Sequence, residues 1–179
     1  MTSSTKHDQG NSNIYLVGMM GTGKSTIGKI LATRLRMDFI DSDQSIEKSS
    51  GLSVTEIFAK HGEETFRNLE QEFVDNGHPI ENQIVACGGG LCIPAGMMEL
   101  LKSKGKVICL WASSETLLER TRTDQARPLL QVSDPLEQIE KLIKERGNRY
   151  READHIINTD KLTTDEVVHA ISTVLHTDR

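Results

Sequence analysis

From residue 14 onward, short apolar runs alternate with amphipathic stretches. The runs at 14–17, 39–40, 84–86, 107–110 and 156–157 are bounded by Gly, Asp or other polar residues. Continuous apolar runs this short are expected of parallel strands buried on both faces. Between them the spacing predicts helices over 24–36, 44–49, 54–60, 63–76, 95–102, 114–121, 135–149 and 164–175. In the first of these, Ile27, Ile30, Leu31, Arg34 and Leu35 recur at three- and four-residue intervals and form one stripe. Ser53 and Ser114 are the expected N-caps of their helices. Strict strand–helix alternation predicts a doubly wound α/β fold, a three-layer α/β/α sandwich around a five-stranded parallel sheet. Ligands of such sheets gather beyond the carboxyl ends of the strands, which makes strand-end residues the first candidates for a site.

The first strand runs directly into Gly18-Met-Met-Gly21-Thr22-Gly23-Lys24-Ser25-Thr26, a complete G-x-x-x-x-G-K-[ST] phosphate-binding loop, and a helix follows. Gly18 and Gly23 permit positive φ there. Successive backbone N–H groups and the helix N-terminus face a polyphosphate. Lys24 can reach the β/γ-phosphates, and the Ser25 hydroxyl can ligate Mg²⁺. The chain is therefore expected to bind a nucleoside triphosphate.

The second strand delivers Asp41-Ser42-Asp43, where carboxylates two residues apart suit Mg²⁺ coordination and orientation of an acceptor hydroxyl. Capping of the next helix by Asp41 or Ser42 is an equal alternative. The third strand ends in Gly88-Gly89-Gly90, where a ligand can lie against bare backbone N–H groups, or where the chain simply turns. Arg67 has Glu63 four residues before it and Glu70 three after, the pattern of a surface ion-pair ladder. Phe66, Leu69 and Phe73 place it near a buried margin. Arg120, Arg122 and Arg127 occupy a polar segment that Pro128 keeps from continuing as helix, as a lid closing over a nucleotide requires. Arg146 and Arg149 end a helix beside Tyr150, where cations also complement the helix dipole.

A chain of 179 residues predicts one domain, over 14–179, after a frayed polar tail over 1–13. The tail lacks the apolar segment of a signal peptide, and no run approaches the roughly 20 apolar residues of a membrane span. The net charge of −5 argues against general nucleic-acid affinity. Cys87, Cys92 and Cys109 form no C-x-x-C pair, which reads as reduced thiols of a cytoplasmic protein and not as a zinc site.

The stretches GMMGTGKSTIGK, FIDSD, GEETFRNLE, ACGGG, RTRTDQARPLL and ERGNRY, in this order, resemble the shikimate kinase family from about Ile14 to the last helix. The resemblance implies a P-loop kinase fold and transfer of the γ-phosphoryl of ATP to the 3-hydroxyl of shikimate. It further implies Mg²⁺ as cofactor, a monomer, a substrate-binding segment over 41–76 and a lid over 120–134. By position, Lys24, Asp43 and Arg127 resemble the catalytic set. Gly21, Thr22, Gly23, Lys24, Ser25, Thr26, Arg120 and Arg127 match the nucleotide contacts. Arg120 stacks on adenine in that likeness, and Asn158 and Thr159 belong to a loop that reads it. Asp43, Arg67, Gly88, Gly89, Gly90 and Arg146 match the shikimate site, with Glu70 steadying Arg67. Ser25 and Asp41 match the metal site. Cys87 stands where the family usually has Ser or Thr. Gly147-Asn148 replaces a frequent Pro-Leu, which leaves Arg146 and Arg149 as alternatives for gripping the carboxylate. The residues after the glycines, Leu91 to Pro94, are more apolar than a polar pocket rim would be. A gluconate-like or nucleoside monophosphate kinase, and a nucleotide switch without acceptor chemistry, are the competing readings.

Overall fold

The computed structural model describes residues 12–122 and 132–177. Five strands form one parallel sheet in the order β2-β3-β1-β4-β5: β1 (Asn13–Val17), β2 (Asp38–Asp41), β3 (Gln83–Ala86), β4 (Gly105–Trp111) and β5 (His155–Asn158). The helices are α1 (Lys24–Leu35), α2 (Ser42–Ser50), α3 (Val54–Asn76), α4 (Met97–Lys104), α5 (Ser114–Thr121), α6 (Pro135–Tyr150) and α7 (Thr164–Thr177).

Successive side chains of a strand face opposite sides, and that period divides the core in two. Ile14, Leu16, Ile84, Ile108 and Leu110 join Ile27 and Leu31 of α1 and Val167, Val168 and Ile171 of α7. Tyr15, Val17, Val85, Val107 and Cys109 face the other way and pack against α2 to α6 through Ile46, Phe66, Phe73, Leu101, Leu117, Ile139 and Tyr150. The sandwich anticipated from the sequence is therefore built with both sheet faces covered.

Three local details refine the sequence reading. Asn13, placed with the tail, is buried and opens β1. Its side chain accepts from the Gln83 N–H (2.9 Å) and donates to the Pro79 carbonyl (2.9 Å), pinning β1 to the start of β3. The N-cap of α5 is Ser113, not Ser114: Asp160 accepts from the Ser113 N–H (3.0 Å) and holds that residue extended. The two helices expected at 54–60 and 63–76 are two arms of α3, separated where Gly62 takes φ 83° and ψ 173°. A capping box starts the first arm, Ser53 accepting from the Glu56 N–H while the Glu56 carboxylate accepts from the Ser53 N–H. Among the described residues no helix is long and apolar enough to cross a membrane.

Candidate active site

Strands β1, β2 and β3 are neighbours in the sheet, so their carboxyl ends bring three loops together. After β1 the chain turns through the phosphate loop into α1, with Gly23 at φ 92° as the left-handed residue that starts the helix. Thr22 is buried, its hydroxyl donating to the Met19 carbonyl at 2.8 Å, which closes the turn from inside. The Lys24 ammonium donates to the carbonyls of Gly18 (2.8 Å) and Met19 (2.9 Å) and arches over the loop.

Both roles anticipated for Asp41 coexist. Its Oδ1 caps α2 by accepting from the N–H groups of Asp43 and Gln44. Its Oδ2 accepts from the Ser25 hydroxyl at 2.8 Å. The cap thus fixes a carboxylate beside the hydroxyl that opens α1. Two hard oxygen donors next to a polyphosphate cradle fit Mg²⁺, which takes few protein ligands and completes its shell with phosphate oxygens and water. No cluster of three or more His, Cys, Asp or Glu side chains suited to a metal exists among the described residues.

Asp43 turns inward from the first turn of α2. Burial and the nearby Asp41 push its carboxyl up to about 6, against the pull of Lys24. Its Oδ1 is buried with no hydrogen-bond partner among the described residues. The glycine loop explains how it fits. A Cβ on Gly88 would collide with that oxygen, and one on Gly90 would stand 2.7 Å from the Arg67 guanidinium. The bare Gly88 and Gly90 thus let the Asp43 carboxyl and the Arg67 guanidinium lie directly against the loop. Ser42, fully buried between the two aspartates, accepts from the Gly88 N–H at 2.8 Å and ties the loop to α2.

On the second arm of α3, Phe66, Glu70, Phe73 and Val74 face the core. An acid on that stripe is 1% exposed, and Arg67 covers it, pairing with Glu70 Oε2 at 2.5 Å and with Glu63 Oε1 at 2.9 Å. Burial pushes Glu70 up to about 7 while Arg67 pulls the other way. The pattern that reads as a surface ladder is thus a half-buried cation held by two acids.

Two cavities meet at the glycine loop. One, about 400 Å³, is lined by the phosphate loop, Asp41, Asp43, Cys87, Gly88, Gly89 and Arg120. The other, about 420 Å³, is lined by Glu63, Glu64, Arg67, Gly90, Ile93, Pro94 and Arg146. Arg146 therefore shares a cavity with Arg67, whereas Arg149 pairs with Glu152 at 3.0 Å and lies 4.0 Å from Glu99. The apolar stretch after the glycines divides accordingly: Leu91 and Cys92 enter the core, and Ile93 and Pro94 wall the second cavity. Arg120 donates to the Thr159 hydroxyl (2.9 Å) and carbonyl (2.8 Å), joining α5 to the turn after β5. Cys87 is buried, and desolvation holds its thiol well above the usual range, so it lines the first cavity as a neutral group. Arg127 and most of the expected lid lie outside the described residues. Ser42, named from the sequence as a possible cap, leaves that role to Asp41 and ties the glycine loop instead. Sequence reasoning missed that tie and the hydroxyl of Tyr150, which reaches the Gly89 carbonyl.

A family model described as shikimate kinase matches residues 20–176. The chain is 45% identical over 161 residues to a shikimate kinase of Sulfurihydrogenibium sp., covering 90% of this chain and 96% of that protein. It is 43% identical over 159 residues to one of Thermodesulfovibrio yellowstonii, covering 89% and 92%. A solved structure of shikimate kinase from Acinetobacter baumannii in complex with shikimate superposes with a TM-score of 0.86 at 37% identity, covering 94% of this chain and 95% of that one.

Proposed function

The chain belongs to the shikimate kinase family, and from that premise we propose how its residues divide the work of phosphorylating shikimate. It is an ATP-dependent kinase that transfers the γ-phosphoryl group of ATP to the 3-hydroxyl of shikimate. The gluconate and nucleotide-switch readings give way to this membership. The observation that carries the division of roles is the pair of cavities lined by successive glycines of one loop, with Asp43 against Gly88 and Arg67 against Gly90.

ATP phosphates lie along the backbone N–H groups from Gly21 to Thr26, with Lys24 leaving its loop carbonyls to meet the β/γ-oxygens. Ser25 and Asp41 hold Mg²⁺, which when bound neutralises charge on the phosphates. Arg120, oriented by Thr159, stacks on the adenine. The shikimate carboxylate sits between Arg67 and Arg146, since paired guanidinium forks suit a carboxylate bidentately. Glu63 and Glu70 keep the Arg67 fork in place. Asp43 accepts a hydrogen bond from the acceptor hydroxyl and holds it in line, the positioning on which phosphoryl transfer depends. Gly88, Gly89 and Gly90 let the ring approach the backbone. Arg127, which lies outside the described residues, is assigned to the transferring phosphoryl group on the family resemblance. Catalysis takes place in the cytoplasm, by a monomer, with no nucleic-acid or membrane partner.

The division of roles has a pH signature. Asp43 works only as a carboxylate, so kcat/KM for shikimate should fall below an apparent pKa of about 6, a profile that reports the free enzyme. Asp43 in turn raises Glu70, which stands at about 7. The linkage has the opposite sign for stability. A carboxyl raised in the folded state favours folding most at acid pH and weakens it as pH rises through about 6. Asp43→Asn should therefore lose most activity, flatten the acid limb and melt higher than the wild type at pH 8. An unchanged limb in Asp43→Asn would remove Asp43 from the reaction.

A further inference from the structure

Tyr150 closes α6 with its ring fully buried, one helical turn after Arg146, so the two side chains share a face. A phenol has one proton to donate and lone pairs that accept. Here the O–H donates to the Gly89 carbonyl at 2.5 Å and ties the end of α6, one turn from Arg146, to the glycine loop. Met19 Sδ of the phosphate loop lies 3.6 Å from it. Burial raises the hydroxyl's pKa, so the donated proton stays in place at any working pH. Gly89 is the middle of the loop whose neighbours abut Asp43 and Arg67. A phenylalanine would fill the same volume. What the hydroxyl adds is a hydrogen bond to the glycine loop, with Met19 as its other neighbour in reach among the described residues.

Resting on the family reading above, we infer that Tyr150 is a positioning residue for the acceptor: its hydroxyl fixes the end of α6, which carries Arg146, to the Gly88–Gly90 loop, so that Arg146 and Arg67 converge on one carboxylate. The geometry gives the reason for the coupling. Arg67 is placed by two acids of its own helix, but Arg146 stands on α6, across the cavity. Without a tie to the loop, nothing among these contacts sets the distance between the two cations.

The test is Tyr150→Phe, assayed for the KM of each substrate. Loss of a buried hydrogen bond between neutral groups should raise the shikimate KM roughly three- to ten-fold, leaving the ATP KM within about two-fold, the range of a change not felt at that site. Partial unfolding lowers the apparent kcat and leaves both KM values alone, so the split is readable even from a destabilised sample. In an Arg146→Lys background the effect of Tyr150→Phe on the shikimate KM should shrink, since the two act as one unit. An unchanged shikimate KM, equal rises in both KM values, or an undiminished effect beside Arg146→Lys would each overturn the inference. Wild-type turnover of shikimate in the same assay separates such a failure from failure of the family reading. If the wild type itself releases no ADP with shikimate, both fall together.

Discussion

Lys24→Ala is expected to cut kcat for phosphoryl transfer by at least about a thousand-fold, the scale at which removing one preorganised charge at a transferring phosphoryl group is felt. The side chain spans the phosphate loop and holds the carbonyls of Gly18 and Met19. The loop is also closed independently of Lys24, by the Thr22 hydroxyl donating to the Met19 carbonyl. The fold should therefore survive, with a melting shift of no more than about 2–4 °C, the response of a chain this size to roughly 1 kcal/mol. A second consequence follows from charge. Lys24 opposes the upward shift of Asp43, so its removal should move the residual activity's acid limb to higher pH. A variant with near-normal kcat would remove the phosphate loop from the reaction.

Arg67→Ala should strike the other substrate. Truncating one partner of a hydrogen-bonded charge pair costs about 2–5 kcal/mol, so the shikimate KM should rise by roughly thirty-fold or more, with ATP affinity little changed. The same change strips Glu70, 1% exposed, of its cation, and an unpaired buried charge destabilises by about 3–5 kcal/mol. Glu70 escapes part of that cost by protonating. Burial already holds it at about 7 with Arg67 present, so without Arg67 the loss of stability should be larger at pH 8.5 than at pH 6. Adding Glu70→Gln to Arg67→Ala should restore much of the melting temperature and none of the shikimate affinity. Equal loss of both substrate affinities would mean that Arg67 is a structural ion pair and not a ligand.

The sheet was legible because its strands are apolar on both faces and its loops carry Gly and Asp at their ends. A period of two then sends Ile14 and Leu16 to one core and Tyr15 and Val17 to the other without further information. Asn13 escaped because a polar residue before an apolar run looks like tail. Only the fold shows that the Gln83 N–H and the Pro79 carbonyl await it. Ser113 and Ser114 are equal as caps by composition, and the choice is made by Asp160, distant in sequence. The Arg67 ladder was ambiguous for a related reason: i,i+3 and i,i+4 pairs look alike on a wet face and on a buried margin. Arg146 and Arg149 likewise differ by three residues on one helix, and the acids beside Arg149 draw it away from the cavity. The roles of the strand-end residues became more specific than their spacing alone could make them. Asp41 proved to be both cap and partner of Ser25, and two of the three glycines are explained by what presses on them.

The most direct measurement is ADP release from Mg²⁺-ATP with shikimate, beside gluconate and a control without acceptor. Shikimate-dependent release at an ordinary kinase rate, on the order of 1–100 s⁻¹, with gluconate no faster than the control, is the result this site predicts. Release that no acceptor changes, or that gluconate supports as well as shikimate, would contradict it.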